Sequence, residues 1–320
     1  MNLLLFFRQS QKHLKGLIFP LCILFLFFAM LLFPSPVLSG ASEGLLLWFN
    51  IVLPTLFPFI LICNLCIRTS ALSYLLRLTR PLLCRIFQVS PCGSFAVLAG
   101  FLCGYPMGSK VAADLYRGKQ ISQAECAYLI SFCNNSSPMF IVSILVLQNL
   151  KASSMALPTL AILMVSPMLC SFLFRPGNRT AKNYPEQVSP YVPDSLNAGV
   201  LDRAVSDALE AIAKVGAYII AFSVLTQLLA MLPFKHTLPK LLLLSSLELT
   251  KGISLICSSS LPWNYKYLFC LFLTSFGGFC AAAQTQSMLD GTGVSAASYL
   301  TKKLVTALVT SLLGCIFLLL

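Results

Sequence analysis

The stretch 131-SFCNNSSPMF-140 decides how this chain is to be folded. It sits inside an apolar run from Ile121 to Asn149 that, as a single helix, would extend about 43 Å, against a hydrocarbon layer of roughly 30 Å. Something in that run has to tilt or break. Asn134, Asn135, Ser136, Ser137 and Pro138 supply the break. A discontinuous helix exposes free N–H and C=O groups, which are tolerated in a membrane only where they line a protein-enclosed cavity. Asparagine amides add paired donors and acceptors suited to a nucleobase, a sugar or an amide. The alternative is a polar kink hydrogen-bonded to neighbouring helices.

Composition places that break in a membrane. The 320 residues are 58% hydrophobic and 10% charged, and the mean hydropathy is +0.85, outside the range of water-soluble domains. A net charge of +12 would point to nucleic acid in a soluble protein. Here the basic residues lie between apolar spans, where they orient helices, and no nucleic-acid partner is expected. The thirteen cysteines, with Cys63 and Cys66 as the CxxC pair, read as small apolar packing residues and not as disulfides.

Clear spans are expected at 17 to 35, 45 to 67, 154 to 174, 212 to 232 and 303 to 320. The stretches 94 to 118, 121 to 149, 238 to 258 and 266 to 290 are less regular, and function is expected there. Residues 1 to 16 carry Arg8, Lys12 and Lys15, so the N-terminus is placed in the cytoplasm ahead of a retained first helix, with a cleaved signal peptide as the alternative. The loop from Pro34 to Gly44 lacks basic residues and is placed outside. Arg68, Arg77, Arg80 and Arg85 are placed inside. A simple crossing at 94 to 109 would put Arg117 and Lys119 outside, whereas a re-entrant hairpin keeps them in. The polar segment 175 to 203 is a cytoplasmic linker, and all nine arginines then sit inside. Lys235, Lys240, Lys251, Lys266, Lys302 and Lys303 fall on the outer side.

A shift of 173 residues lays Gly104 on Gly277, Gly118 on Gly291, Ile121-Ser122 on Val294-Ser295 and Ala124 on Ala297; a shift of 171 lays Leu78-Thr79-Arg80 on Leu249-Thr250-Lys251. This is read as an inverted repeat, since many transporters are built from duplicated halves. The segments are 1–40 (N-terminal helix), 41–174 (first repeat), 175–203 (linker) and 204–320 (second repeat). Shared helix punctuation is the plainer explanation of the matches.

In "AGFLCGYPMGSKVAADLYRGK" the glycines at 100, 104 and 108 fit close helix packing, while Pro106 removes a backbone donor where the chain can turn. A hairpin tip at Gly104 to Gly108, with Pro106 in it, satisfies both and turns Tyr105 and Ser109 toward a cavity. Ser122 and Glu125 have the spacing of a capping box. "LLLLSSLELTKGISLI" sets Glu248 and Thr250 in an apolar background, and an intramembrane carboxylate is a functional-site hypothesis by default; Lys251 is the alternative partner that would neutralise it. The matching second hairpin, "LFLTSFGGFCAAAQTQSMLDG", offers Gly277 and Gly278 at its tip with Gln284 and Gln286 behind them. His13 and His236 have no ligand set around them in sequence, so neither a metal nor another cofactor is expected. No phosphate-binding loop and no nucleophile–base pair is legible, and an enzyme is not expected.

In that order, "ASEGLLLWFNIVLPTLFPFIL", "GFLCGYPMGSKVAADLYRGKQIS", "FCNNSSPMFI", "LELTKGI" and "SFGGFCAAAQ" resemble the sporulation integral membrane proteins of spore-forming Firmicutes (the YlbJ type), within the nucleoside-recognition, or Gate, domain proteins. The similarity covers about residues 41 to 290. It implies a multi-pass protein of the cytoplasmic membrane acting in a step of spore formation such as cortex assembly, with a distant likeness to concentrative nucleoside transporters. By that likeness Asn134, Asn135, Ser136 and Glu248 lie near a solute. Phe279, Cys280 and Ala281 to Ala283 make the second hairpin less polar than a sugar-binding tip. The expectation is thus an all-α polytopic membrane protein with an inverted repeat and two re-entrant or broken helical hairpins. It would act as a secondary transporter or permease for a small polar, nucleoside-like solute, with the lipid bilayer, a coupling cation or proton, and a second copy of itself as partners. Its rival is a non-transporting membrane scaffold required for sporulation.

Overall fold

A computed structural model describes residues 20–69, 71–175, 198–233 and 237–320. Arg8, Lys12, Lys15, His13, Arg179, Lys182, Lys235 and His236 lie outside the described residues. Among the described residues every regular element is a helix. Five are long and apolar enough to cross a membrane: Pro34–Arg68, Ser153–Phe174, Ala198–Ala230, Trp263–Met288 and Ala296–Leu319. The protein is an all-α polytopic membrane protein.

Helix α1 (Pro20–Leu32) is followed directly by α2 (Pro34–Arg68). The stretch from Pro34 to Gly44 is therefore helix and not the polar loop its lack of basic residues suggests. α2 pairs antiparallel with α10 (Ala198–Ala230), and small residues set the spacing. A Cβ on Gly40 would come within 2.8 Å of the Val224 Cα, and one on Gly44 within 2.8 Å of the Ile220 Cα. Further along, α2 widens by one residue per turn at Trp48–Val52, where the Trp48 indole N–H donates to the Ile212 carbonyl at 3.0 Å. Because α10 begins at Ala198, residues 198–203 are helix, and the linker read as 175 to 203 is shorter than expected. The α2–α10 pair has two recognisable ends. At one, Arg68 pairs with Asp207; at the other, the Gln227 side chain donates to Glu43 at 2.9 Å.

The arginine end carries α3 (Ala71–Thr79) and α4 (Arg80–Phe87), the latter meeting α5 (Pro91–Leu102) at 90°. α5 and α6 (Met107–Arg117) fold back on each other and lean on α7 (Gln123–Cys133). Gly93 lies at Glu125, and Gly100 and Gly108 both lie against the Cys133 carbonyl; the Cys126 Sγ meets the Ala112 carbonyl at 3.6 Å. Hence α5 runs parallel to α7 and α6 antiparallel, and both ends of this hairpin lie at the arginine end. Arg117 accordingly lines one cavity with Arg68 and Asp207, and it donates to the Met288 and Asp290 carbonyls, both at 2.8 Å.

The chain then breaks at Asn134–Ser137 and resumes as α8 (Phe140–Leu150), wound with the wider i to i+5 pattern. α9 (Ala156–Phe174) returns, and the Arg175 guanidinium at its end donates to the Ile86 carbonyl at 2.6 Å.

The second half departs from the sequence expectation. α11 (Thr237–Leu247) and α12 (Leu249–Ser258) form the second hairpin, because a Cβ on Gly252 would overlap the Ser245 carbonyl. Its turn is Glu248, and its ends lie at the opposite, lysine end: Lys240 donates to the Ala230 carbonyl at 2.6 Å and Lys266 to the Cys257 carbonyl at 2.8 Å.

The segment expected to be the hairpin, α13 (Trp263–Phe276) with α14 (Gly278–Met288), does not fold back. Contacts run in one direction along α15 (Ala296–Leu319). Gly314 meets Leu268 and Leu271, Thr310 donates to Ser275 at 2.9 Å, and Thr285 meets Tyr299 at 3.4 Å. Gly277 and Gly278, with φ of 90° and 79°, thus mark a break in a crossing helix and not a hairpin tip. This moves the chain to the other end before residue 300. Lys302, expected on the outer side, stands over the Phe174 ring beside Arg175, and Lys303 is buried.

Candidate functional site

Two hairpin tips and two helix breaks meet at the centre of the bundle. From the arginine end comes the α5–α6 turn, built on Gly104 (φ 89°) and the cis Tyr105–Pro106 bond. From the lysine end comes the α11–α12 turn at Glu248. The tips reach the breaks directly. The Tyr105 hydroxyl donates to the Ser275 carbonyl at 2.8 Å, and its ring lies where a Cβ on Gly277 would stand. Gly104 is pressed against Ser137 in the same way.

Between them lies a cavity of about 130 Å³, room for several waters. Of the residues singled out from sequence, Tyr105, Ser136, Glu248, Thr250, Gln284, Gly104 and Gly277 line it. Ser137, read from sequence as part of the break, also lines it, as do Thr55 and Ser143, which carried no sequence signal beyond being hydroxyls in apolar helices. Among the described residues no lysine or arginine lines it.

Glu248 is 5% exposed. Its carboxylate caps α12, accepting from the Thr250 N–H at 3.1 Å and the Lys251 N–H at 2.8 Å. This is the ordinary way to satisfy the orphan donors of a helix start, and the negative charge suits the helix dipole. Each oxygen keeps a free acceptor position. Lys251, read as an alternative partner of Glu248, pairs with Glu43 on α2 instead.

The asparagines are placed differently from the expectation. Both are buried, neither lines the cavity, and their amides are engaged within the protein. The Asn134 Nδ2 donates to the Thr285 hydroxyl at 2.7 Å and to the Tyr299 hydroxyl at 2.9 Å. The Asn135 Nδ2 donates back to the Phe132 carbonyl at 2.6 Å. Asn134 therefore ties the first break to α14 and α15, while the Asn135 Nδ2 ties it back to α7. Ser136 donates to the Thr274 carbonyl at 3.2 Å and still reaches the cavity wall. Ser109, expected to face a cavity, donates to the Pro106 carbonyl at 2.7 Å inside its own helix start. Pro106 and Gly108 serve the turn and the packing, and Gly278 the second break; none lines the cavity.

Lys303, placed by sequence on the outer side of the membrane, is 1% exposed. Its Nζ donates to the Asn134 carbonyl at 2.9 Å and the Asn135 Oδ1 at 3.3 Å. The signal for it was present. Tyr299, Lys303, Thr306 and Thr310 recur at helical spacing on one face of an apolar helix, and all four are buried.

A second, wider cavity of about 430 Å³ opens at the arginine end, lined by Asn64, Arg68, Lys110, Asp114, Arg117, Asp207 and Lys214 among others. Its charges are paired: Lys110 with Asp114 at 2.7 Å, and Arg117 with Asp114 at 3.1 Å.

No protein-family model matches the chain, and no solved structure matches it. Among curated proteins it is similar to the sporulation integral membrane protein YlbJ of Bacillus subtilis (strain 168), 25% identical over 307 residues that span 85% of this chain and 75% of the relative.

Proposed function

We propose that this chain, a homologue of the YlbJ-type sporulation membrane proteins, is a secondary transporter or permease that holds a small polar solute in its central cavity. The observation that carries this reading is the meeting of two opposed hairpin tips and two broken helices around a largely apolar cavity that holds Glu248, Gln284 and several hydroxyls. Each set of elements has the same order: hairpin, broken helix, full span. The first is α5–α6, α7–α8 and α9; the second is α11–α12, α13–α14 and α15. One hairpin enters from each end of the α2–α10 pair, which is the arrangement of an inverted-topology repeat. In that frame the arginine end is cytoplasmic by the positive-inside rule, in the cell membrane of a spore-forming cell.

One carboxylate, several hydroxyls and one carboxamide around an otherwise apolar wall favour a neutral or cationic solute rich in donors. A nucleoside-like solute requires the hairpin tips to part. A Gate-domain assignment and self-association are not needed for this reading.

One observation favours a scaffold instead: Asn134 and Asn135 spend their amides on neighbouring helices, as glue would. A thermal-shift screen of the detergent-purified protein against nucleosides, sugars, amino acids and cations separates the two. Transport is supported by a solute whose stabilisation disappears in Gln284→Ala and Glu248→Gln. A full screen without a shift supports the scaffold.

A further inference from the structure

The first helix break holds a buried lysine that the solute site does not use. α7 ends at Cys133 with Asn134 in a non-helical conformation (φ −101°, ψ 88°), so the last carbonyls of α7 have no partners from a following turn. This is the negative end of a helix dipole. The Lys303 ammonium sits on it, bound by the Asn134 carbonyl at 2.9 Å and the Asn135 Oδ1 at 3.3 Å. The third side is the face of Tyr105, with its ring centroid 5.0 Å away. Among the described residues Lys303 has no carboxylate within ion-pair reach. A buried cation without a counter-ion is destabilising unless dipoles compensate it. A carbonyl, an amide oxygen and an aromatic face are what a desolvated alkali cation or alkylammonium would also require.

The groups around Lys303 are fixed by contacts of their own. The Asn135 Nδ2 bond to Phe132 turns its Oδ1 toward Lys303. The Asn134 side chain is pinned by Thr285 and Tyr299, and the Cys133 carbonyl is seated against Gly100 and Gly108. The lysine comes from α15, a helix that spans the bundle unbroken beside the gap.

We propose that the break between α7 and α8 is a monovalent-cation site that the protein fills with its own ammonium, Lys303. An external alkali cation is then unnecessary for ordering the break. The proposal stands whether or not the central cavity carries a solute, because a scaffold would need the same charge there.

The test uses the full chain in detergent without solute, comparing sodium, potassium and choline chlorides at equal ionic strength. Wild type melts at the same temperature in all three. Lys303→Ala melts lower in choline, by on the order of 5 °C, and is restored in part by sodium, potassium or propylammonium. Lys303→Met, which fills the space without charge, melts lower in every salt and is not restored. Should Lys303→Ala be recovered folded only when purified with propylammonium, the proposal is equally supported. It is overturned if Lys303→Met melts with the wild type, or if Lys303→Ala responds to choline as it does to sodium and propylammonium. Loss of solute binding in the screen above would leave these melting differences intact, so the two readings fail separately.

Discussion

Gly100 and Gly108 are four residues either side of the turn at Gly104 and converge on one atom, the carbonyl oxygen of Cys133. A methyl group at either would overlap backbone, which cannot swing aside as a side chain can. Gly100→Ala is therefore expected to destabilise by about 1–3 kcal/mol, while Gly118→Ala, with its nearest neighbour 3.3 Å away at φ −73°, does so by much less. Melting of the two variants side by side checks this. The glycine spacing was legible in sequence as both packing and turn, and both readings hold at different members of the set. Lys303 belongs to a polar stripe that was also legible, yet it was read as an outer lysine, because Lys302 beside it makes the pair look like an interfacial cluster. Adjacent residues on a helix point about 100° apart, and here one faces the surface and the other the interior.

At the scale of the elements, two of the four interruptions have chemistry that writes itself into the sequence. Asn-Asn-Ser-Ser-Pro cannot continue a helix comfortably, and Glu248 is an acidic residue between leucines. Glu248 was read as a functional carboxylate in an apolar background and the turn it makes was not foreseen, because the N-cap role depends on which way α12 leaves it. Glu248→Ala is expected to cost about 1 kcal/mol through the lost cap, with Glu248→Gln closer to wild type because it keeps an acceptor. Only the solute screen, and not melting, should separate Glu248→Gln from wild type.

Ser122 and Glu125 illustrate a half-correct motif. The Ser122 hydroxyl does accept from the Glu125 N–H at 3.1 Å, but the Glu125 carboxylate reaches past Ser122 to the Ser90 N–H at 2.6 Å. It thereby holds the start of α5 to the start of α7. Glu125→Ala, which leaves that buried donor unpaired, is expected to lose about 1–3 kcal/mol, measured as melting or as protease sensitivity of the α4–α5 connection. The 173-residue shift failed for a related reason: it aligned glycine turns and serine caps, which mark helix ends of any kind. The structural correspondence of hairpin tip to hairpin tip runs from Tyr105 to Glu248, a smaller offset.

For the whole molecule, charge anticipated the α5–α6 hairpin but misread Pro34 to Gly44 as a loop, and geometry corrected the second half. A re-entrant α5–α6 was required to keep Arg117 with Arg68, and the structure has it. The lysines scattered because the crossing was assigned to the wrong segment. Cysteines engineered at Lys119 and at Asn264, on a background without the native thiols, are expected to react with an impermeant reagent from opposite sides of the membrane. Labelling of both from one side would require α13–α14 to return instead of cross. The α2 helix, 35 residues and about 52 Å long, exceeds the hydrocarbon thickness and must tilt or project, which gives the hairpins a tall wall to move against. On that wall Glu43 grips Lys251, one turn from the Glu248 tip. Any outward swing of α11–α12 would have to release this clasp into water, so its ease is expected to rise with ionic strength and in Glu43→Gln, as salt loosens an ion pair that one partner leaves half-exposed.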